Sequence, residues 1–427
     1  MKSIKTYEIS KGVNIRFFKS EKFKTNSISL YIHLPLERKT VTKAALLPRI
    51  LKRGSQKYPT LTELSRQTEE LYGASVGLGI ARKGDGEAIR FNIQFVSDKF
   101  LNDKITHDAV ELLKELVLCP KVENESFDKT WLEQEKENLK NLIEGLINDK
   151  KEYASVKCNE IMFEGDPYGI FEYGYVEDLK DIDEKNLYEF YKNLLNTSTI
   201  DIFANGSFDE DEVVAELKTA FSAFADRKGG YSKTKLACPE ENIEVKKVVE
   251  PMPTSQSKLV MGFNCGIDPK SEDYYGLMMF SCVFGGSPFS KLFNNVREKL
   301  SLAYYVFSSA DRQKSYMKIS AGIEADKFDA AYDEIMLQID KMKKGDFSDD
   351  EILSAKKYLS TSLSSANDSM GAIENFYMGQ ILIDNDESIE ELISKVQKVD
   401  RDAIIKAANT VQEDTVYFLK GAQENEV

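Results

Sequence analysis

The chain has 427 residues, enough for two or three domains, each with its own core. Acidic residues number 71 against 57 basic ones, a net charge of −14, which excludes the electrostatic footprint of a phosphate-backbone binder. Only His33 and His107 are present, which excludes a His-rich metal site inside this polypeptide, and the five cysteines form no C-x-x-C pair and read as buried thiols.

The opening segment alternates as strands do, first in YEISKGVNIRFF and then in SISLYIHLPL. It lacks the apolar core of a signal peptide. Helical periodicity runs from Thr42 to Lys52 and from Thr60 to Leu71. SVGLGIARKGDGEAIRFNIQFV then reads as a long hairpin about Lys83-Gly84-Asp85-Gly86. Helices are expected over Asp108–Leu118, Phe127–Phe163 and Glu184–Leu195, followed by a strand at Thr199–Ala204 and a helix from Asp209 to Phe224. The longest apolar stretch, Tyr275–Gly286, falls short of the ~18–20 residues that span a bilayer. The expectation is a cytoplasmic protein with no membrane segment and no nucleic-acid partner.

The second half replays this order. Asp98-Lys99-Phe100 and Asp326-Lys327-Phe328, each ending a hairpin, lie 228 residues apart. Phe127 and Leu139 match Phe347 and Leu359 at 220, and Asp183 matches Asp400 at 217. Gly54-Ser55 matches Gly286-Ser287 at 232, so the offset drifts in one direction, as loop deletions would make it. The expected fold is α+β, with two homologous domains at 1–225 and 254–427 joined by a linker at 226–253. Each domain is expected to hold an antiparallel sheet with helices packed on one face.

Several chemistries lack their motifs. No complete G-x-G-x-x-G or G-x-x-x-x-G-K-[ST] occurs. Ser255-Gln-Ser-Lys258 fits S-x-x-K but opens a strand, not a helix. The acidic runs at Asp209–Glu212 and Asp384–Glu387 lie where helices begin and read as capping. His33 reads as a structural histidine on a strand, and His107 as a helix-surface residue.

GGSPFSKLFNNVREKLSLAYYVFSS, from Gly285 to Ser309, resembles a signature in the second domain of the pitrilysin/insulinase/mitochondrial-processing-peptidase family of zinc metallopeptidases. Gly285, Gly286, Ser290, Leu292, Phe293, Arg297, Glu298, Lys299, Leu302, Ala303 and Tyr304 carry the match. The resemblance covers essentially the whole chain, and KFKTNSISL, ALLPRIL and LYGASV are similar to its bacterial YmfF-like subgroup. It implies half of a metallopeptidase clamshell. Active members carry H-x-x-E-H on a first-domain helix, whereas KAALLPRILKRGS has Ala45, Pro48 and Arg49 at those positions. Alanine and proline offer no side-chain ligand and a guanidinium repels zinc, so no metal is expected in this chain.

By resemblance, Arg297 and Tyr304, with Gly285 and Gly286, reach the substrate at a zinc centre carried by another chain. The implied function is a pseudo-peptidase subunit, inactive alone, in a heterodimer with a homologous H-x-x-E-H zinc subunit, acting on peptides. Self-association is the other assembly left open, and a structural or peptide-holding subunit is the alternative role. On residues alone, without the resemblance, the favoured reading is that Arg297-Glu298-Lys299 is a solvated helix end and Tyr304 a packing residue.

Overall fold

The computed structural model describes residues 4–225, 227 and 244–422. Cys238 and most of the expected linker lie outside the described residues. The first half runs β1 (Lys5–Ser10), β2 (Val13–Lys19), β3 (Thr25–Pro35), α1 (Val41–Leu51), α2 (Leu61–Glu70), β4 (Ser75–Lys83) and β5 (Gly86–Val96). It continues with α3 (Thr106–Leu118), α4 (Lys129–Gly145), α5 (Lys150–Met162), α6 (Glu184–Thr197), β6 (Ile200–Gly206) and α7 (Glu210–Ala220). The second half runs β7 (Lys246–Pro253), β8 (Ser257–Asn264), α8 (Asp273–Ser281), β9 (Ala303–Asp311), β10 (Tyr316–Ile323) and α9 (Phe328–Lys343). It closes with α10 (Asp349–Ser365), α11 (Met370–Leu382), α12 (Ile389–Lys398), α13 (Arg401–Thr410) and β11 (Gln412–Ala422).

The two sheets share one topology. The first has the order β1-β2-β6-β3-β5-β4 and the second β7-β11-β8-β10-β9. With β1 set aside as an added edge strand, every neighbour in one sheet has its counterpart in the other. In both, one pair is parallel, β2 with β6 and β7 with β11, and the remaining pairs are antiparallel. The repeat read from the spacing is therefore a repeat of fold, and the protein is a two-domain α+β structure.

The domain boundaries differ from the contiguous split at 226–253. The described residues within Met1–Gly145, Ile170–Thr234 and Asp368–Met378 form one compact unit. Those within Leu146–Gly169, Lys235–Asn367 and Gly379–Val427 form the other. Each unit thus takes a segment from the opposite half of the chain. The segment 246–253, assigned to the linker from its charge and prolines, is strand β7. Pro251 is tolerated because β7 is an edge strand. Phe127–Phe163, expected as one helix, is broken between α4 and α5, where Asp149 caps α5 by accepting from the Lys151 and Glu152 amides.

In the first unit, alternation along β3 and β5 sends Ile28, Leu30, Ile32, Ile89, Phe91 and Ile93 into a core shared with α1, α3 and α6. The other face of β3 carries Ser27, Ser29, Tyr31 and His33 and is also buried. Glu374, in the segment borrowed from the second half, accepts from Ser29 Oγ at 2.9 Å and from the Tyr31 hydroxyl, and pairs with Arg90 at 3.0 Å. His33 meets Asp201 at 3.1 Å, the structural role expected of it. Exposed on α3, His107 pairs with Glu216 at 2.6 Å.

In the second unit, α5 lays Ala154 and Cys158 against Met252, Val260, Tyr417 and Leu419. Gly262 leaves room for Met162, whose sulfur would stand 2.5 Å from a Cβ there. Both sheets are therefore covered on two faces, by helices of their own half on one and by the exchanged segment on the other.

Candidate functional site

The residues singled out by sequence fall in two places, one in each unit. In the first unit, α1 is built from the Ala- and Leu-rich run VTKAALLPRIL, which buries Ala44, Ala45, Leu46, Leu47, Ile50 and Leu51. Pro48 sits inside the helix, where it removes one amide donor. Ala45, Pro48 and Arg49 line an open cavity of about 610 Å³. Leu61 of α2, Leu78 and Ile80 of β4 and Leu142 of α4 give it apolar walls, and Lys52, Arg53 and Glu135 complete its charges.

Glu135 is the one carboxylate lining this cavity, and it is fully engaged. Arg53 donates from Nε at 2.6 Å and stands at 2.5 Å through Nη2, both to Oε1, while Asn138 donates to Oε2 at 3.2 Å. Arg53 and Glu135 lie 82 residues apart, and no local pattern pairs them. The donor set here is therefore cationic and apolar, which does not fit a zinc ion. Among the described residues no group of three or more His, Cys, Asp or Glu side chains is placed to hold a metal.

In the second unit, α8 widens into a π-type turn over Cys282–Gly286. Gly285 is buried, and a Cβ there would lie 2.6 Å from Ser308 Oγ and 2.8 Å from Leu292 Cδ1. Its lack of a side chain lets this turn pack against β9. Gly286 is exposed. A second π-type helix, Phe293–Lys299, ends in a left-handed residue, Ser301 (φ 48°), whose amide donates to the Arg297 carbonyl at 3.1 Å. Leu302 N–H then closes on the Val296 carbonyl at 2.9 Å, and the chain enters β9.

Arg297 and Tyr304 stand at the two ends of that reversal. Arg297 has a side chain 43% exposed, its guanidinium 4.9 Å from the Phe293 ring centroid and 3.8 Å from Glu298. Opposite β10, Gly322 pairs with Tyr305 and Ile323 with Ala303, which leaves Tyr304 as the extra residue of a β-bulge. The bulge turns Tyr304 outward, 57% exposed, with its hydroxyl donating to Glu324 at 3.0 Å. That bond raises the phenol, and Glu324 is lowered by Lys327 first and by the Tyr304 hydroxyl second. Tyr305 is half-buried, and burial with the nearby Asp149 pushes its phenol up to about 12. Tyr304 is thus the tyrosine open to solvent. The two candidate side chains engage different carboxylates and are not bonded to each other.

The family model described as Peptidase M16 inactive domain matches residues 181–359. The chain is 33% identical over 414 residues to a Bacillus subtilis protein described as probable inactive metalloprotease YmfF, covering 96% of each. The crystal structure of a conserved protein from Enterococcus faecalis superposes with a TM-score of 0.89 at 30% identity, covering 99% of this chain and 100% of that one. A Pseudomonas fluorescens peptidase M16 inactive domain shares the fold, with a TM-score of 0.79 at 17% identity over 99% of both chains. An identity held along nearly the full length, together with a cavity whose side chains do not fit a zinc ion, leads to one conclusion: the chain belongs to the M16 metallopeptidase family, as an inactive member.

Proposed function

We propose that the chain is the non-catalytic subunit of a two-chain peptidase, paired with a homologous zinc-carrying chain and lending Arg297 and Tyr304 to its substrate. The observation that carries this reading is the asymmetry between the two units. One has Ala45, Pro48 and Arg49, which cannot hold zinc, at the positions the family resemblance assigns to the metal motif, while the other carries an arginine and a tyrosine exposed at the mouth of β9. A planar guanidinium suits a peptide carbonyl or carboxylate, and a phenol can donate to oxygen that gains negative charge during amide cleavage. Neither residue supplies a nucleophile or a base, so the chain alone should hydrolyse no peptide and bind no stoichiometric zinc.

The test is co-expression with a candidate H-x-x-E-H chain, followed by a peptide-hydrolysis assay. Arg297→Ala or Tyr304→Phe should lower the rate by about 10²–10³ while assembly stays intact. Tyr305→Phe, half-buried on β9, serves as the near-neutral control. Full activity with both Arg297→Ala and Tyr304→Phe in place would instead support a structural or peptide-holding subunit. About one tightly held zinc per chain, in protein purified without a His-tag, would refute the inactive-site assignment.

A further inference from the structure

The α1 cavity offers no free carboxylate or imidazole, and three basic side chains line it. Of its three basic side chains, only Arg53 is neutralised, by Glu135. The Arg49 and Lys52 side chains also line the cavity and make no ion pair or hydrogen bond among the described residues. Arg49 lies in the last turn of α1 and Lys52, three positions on, is its C-cap residue in helical conformation, so the two project from one face. In a chain of net charge −14, two uncompensated cations sharing one concavity are not explained by a shortage of acids. The α1 C-terminus favours cations, which makes them tolerable there but does not direct them into a cavity.

The walls narrow the ligand class. Leu78 and Ile80 flank Gly79, where a Cβ would meet nothing within 4 Å, and Leu61 and Leu142 are the other apolar surfaces. Inorganic phosphate would satisfy the cations but leave those walls wet. An internal peptide segment would cover the walls but bring no obligatory negative charge. A peptide terminus with an apolar last residue does both. The fractional negative charge at the helix C-terminus opposes an anion, but two full positive charges outweigh it.

We infer that the cavity binds the free α-carboxylate of a peptide ending in an apolar residue. The Arg49 fork takes the two carboxylate oxygens, Lys52 adds its ammonium, and the last side chain lies against Leu78 and Ile80. The inference rests on the reading of this chain as a peptide-handling subunit.

The experiment is fluorescence anisotropy of the full-length chain with N-terminally labelled peptides that differ only at the C-terminus. A peptide ending in leucine with a free acid should bind about tenfold or more tighter than its C-terminal amide. Replacing that leucine with glycine should weaken binding by about tenfold. Lys52→Glu, an exposed change with little risk to folding, should bring the acid-to-amide ratio near one. Arg49→Ala should do the same, with its thermal melt as the folding control. Equal binding of acid and amide overturns the inference while leaving the proposed subunit role intact, because hydrolysis by the two-chain complex reports on that role separately. Failure of both peptides to bind also overturns it, as does an acid-to-amide ratio unchanged by Lys52→Glu.

Discussion

Glu87 is a carboxylic acid enclosed at the start of β5, 1% exposed, with neither side-chain oxygen hydrogen-bonded among the described residues. Burial pushes it up to about 9, the nearby Glu172 adds to the rise, and Arg82 opposes it. The folded protein therefore keeps the proton that the unfolded chain gives up near 4.5. The stability this contributes is complete below about pH 4.5 and is lost as pH rises toward about 9. Glu87→Gln keeps the shape without the titration. Urea midpoints at pH 5 and pH 8 should fall less steeply for the variant, by an amount equivalent to about 3–4 kcal/mol. Identical pH dependence would refute the assignment. Asp201 is the opposite case, since burial alone would raise it, yet His33 and Arg16 hold it down at about 2. The structural reading of His33 was legible from its apolar strand neighbours. The enclosure of Glu87 was not, because Gly86-Glu87 looks like the exposed end of a hairpin turn and its cover includes residues some 85 positions away.

At the scale of elements, one substitution should have opposite signs at two helical glycines. On α8, a Cβ at Gly276 would lie 2.6 Å from the Ala403 carbonyl oxygen of α13, a backbone atom with little freedom to yield. Gly276→Ala should destabilise by about 1–3 kcal/mol through overpacking. On α11, a Cβ at Gly379 would meet nothing within 4 Å. Gly379→Ala should stabilise by up to about 1 kcal/mol, the usual helical preference for alanine. Thermal melts of the two variants check both signs. Most strands and helices were legible, because alternation and 3.6-residue periodicity record which face is buried. The break between α4 and α5 was not, since apolar positions continue through it from Leu139 to Ala154 and Cys158, and only their destinations change. Strand β7 was hidden for a different reason. Its exposed Val249 and its prolines are compatible with an edge, but they resemble a linker when no partner strand is in view.

For the whole molecule, membership of the family was readable from the Gly285–Tyr304 signature, and a relative 33% identical over nearly the full length bears it out. The Arg53–Glu135 pair and the outward turn of Tyr304 required tertiary structure, the first because of sequence separation and the second because a bulge breaks the strand's alternation. The exchange of segments makes a further expectation specific. A fragment 254–427, cut at the apparent linker, lacks both α5 and β7 and would expose Val260, Tyr417 and Leu419. Such a fragment should bind a hydrophobic dye such as ANS and melt without a sharp transition. A cooperative, dye-silent melt would show that α5 is dispensable.

The same exchange sets an order of events during synthesis. The first sheet forms from the residues that leave the ribosome earliest, yet Ser29, Tyr31 and Arg90 receive their partner only when Glu374 has been added. The N-terminal unit thus begins folding first and is completed only after α9 and α10 of the other unit have been made. A ribosome that stalls before that point releases a sheet with one polar face uncovered. Truncated products should consequently be substrates for chaperones and proteases, not persistent half-proteins.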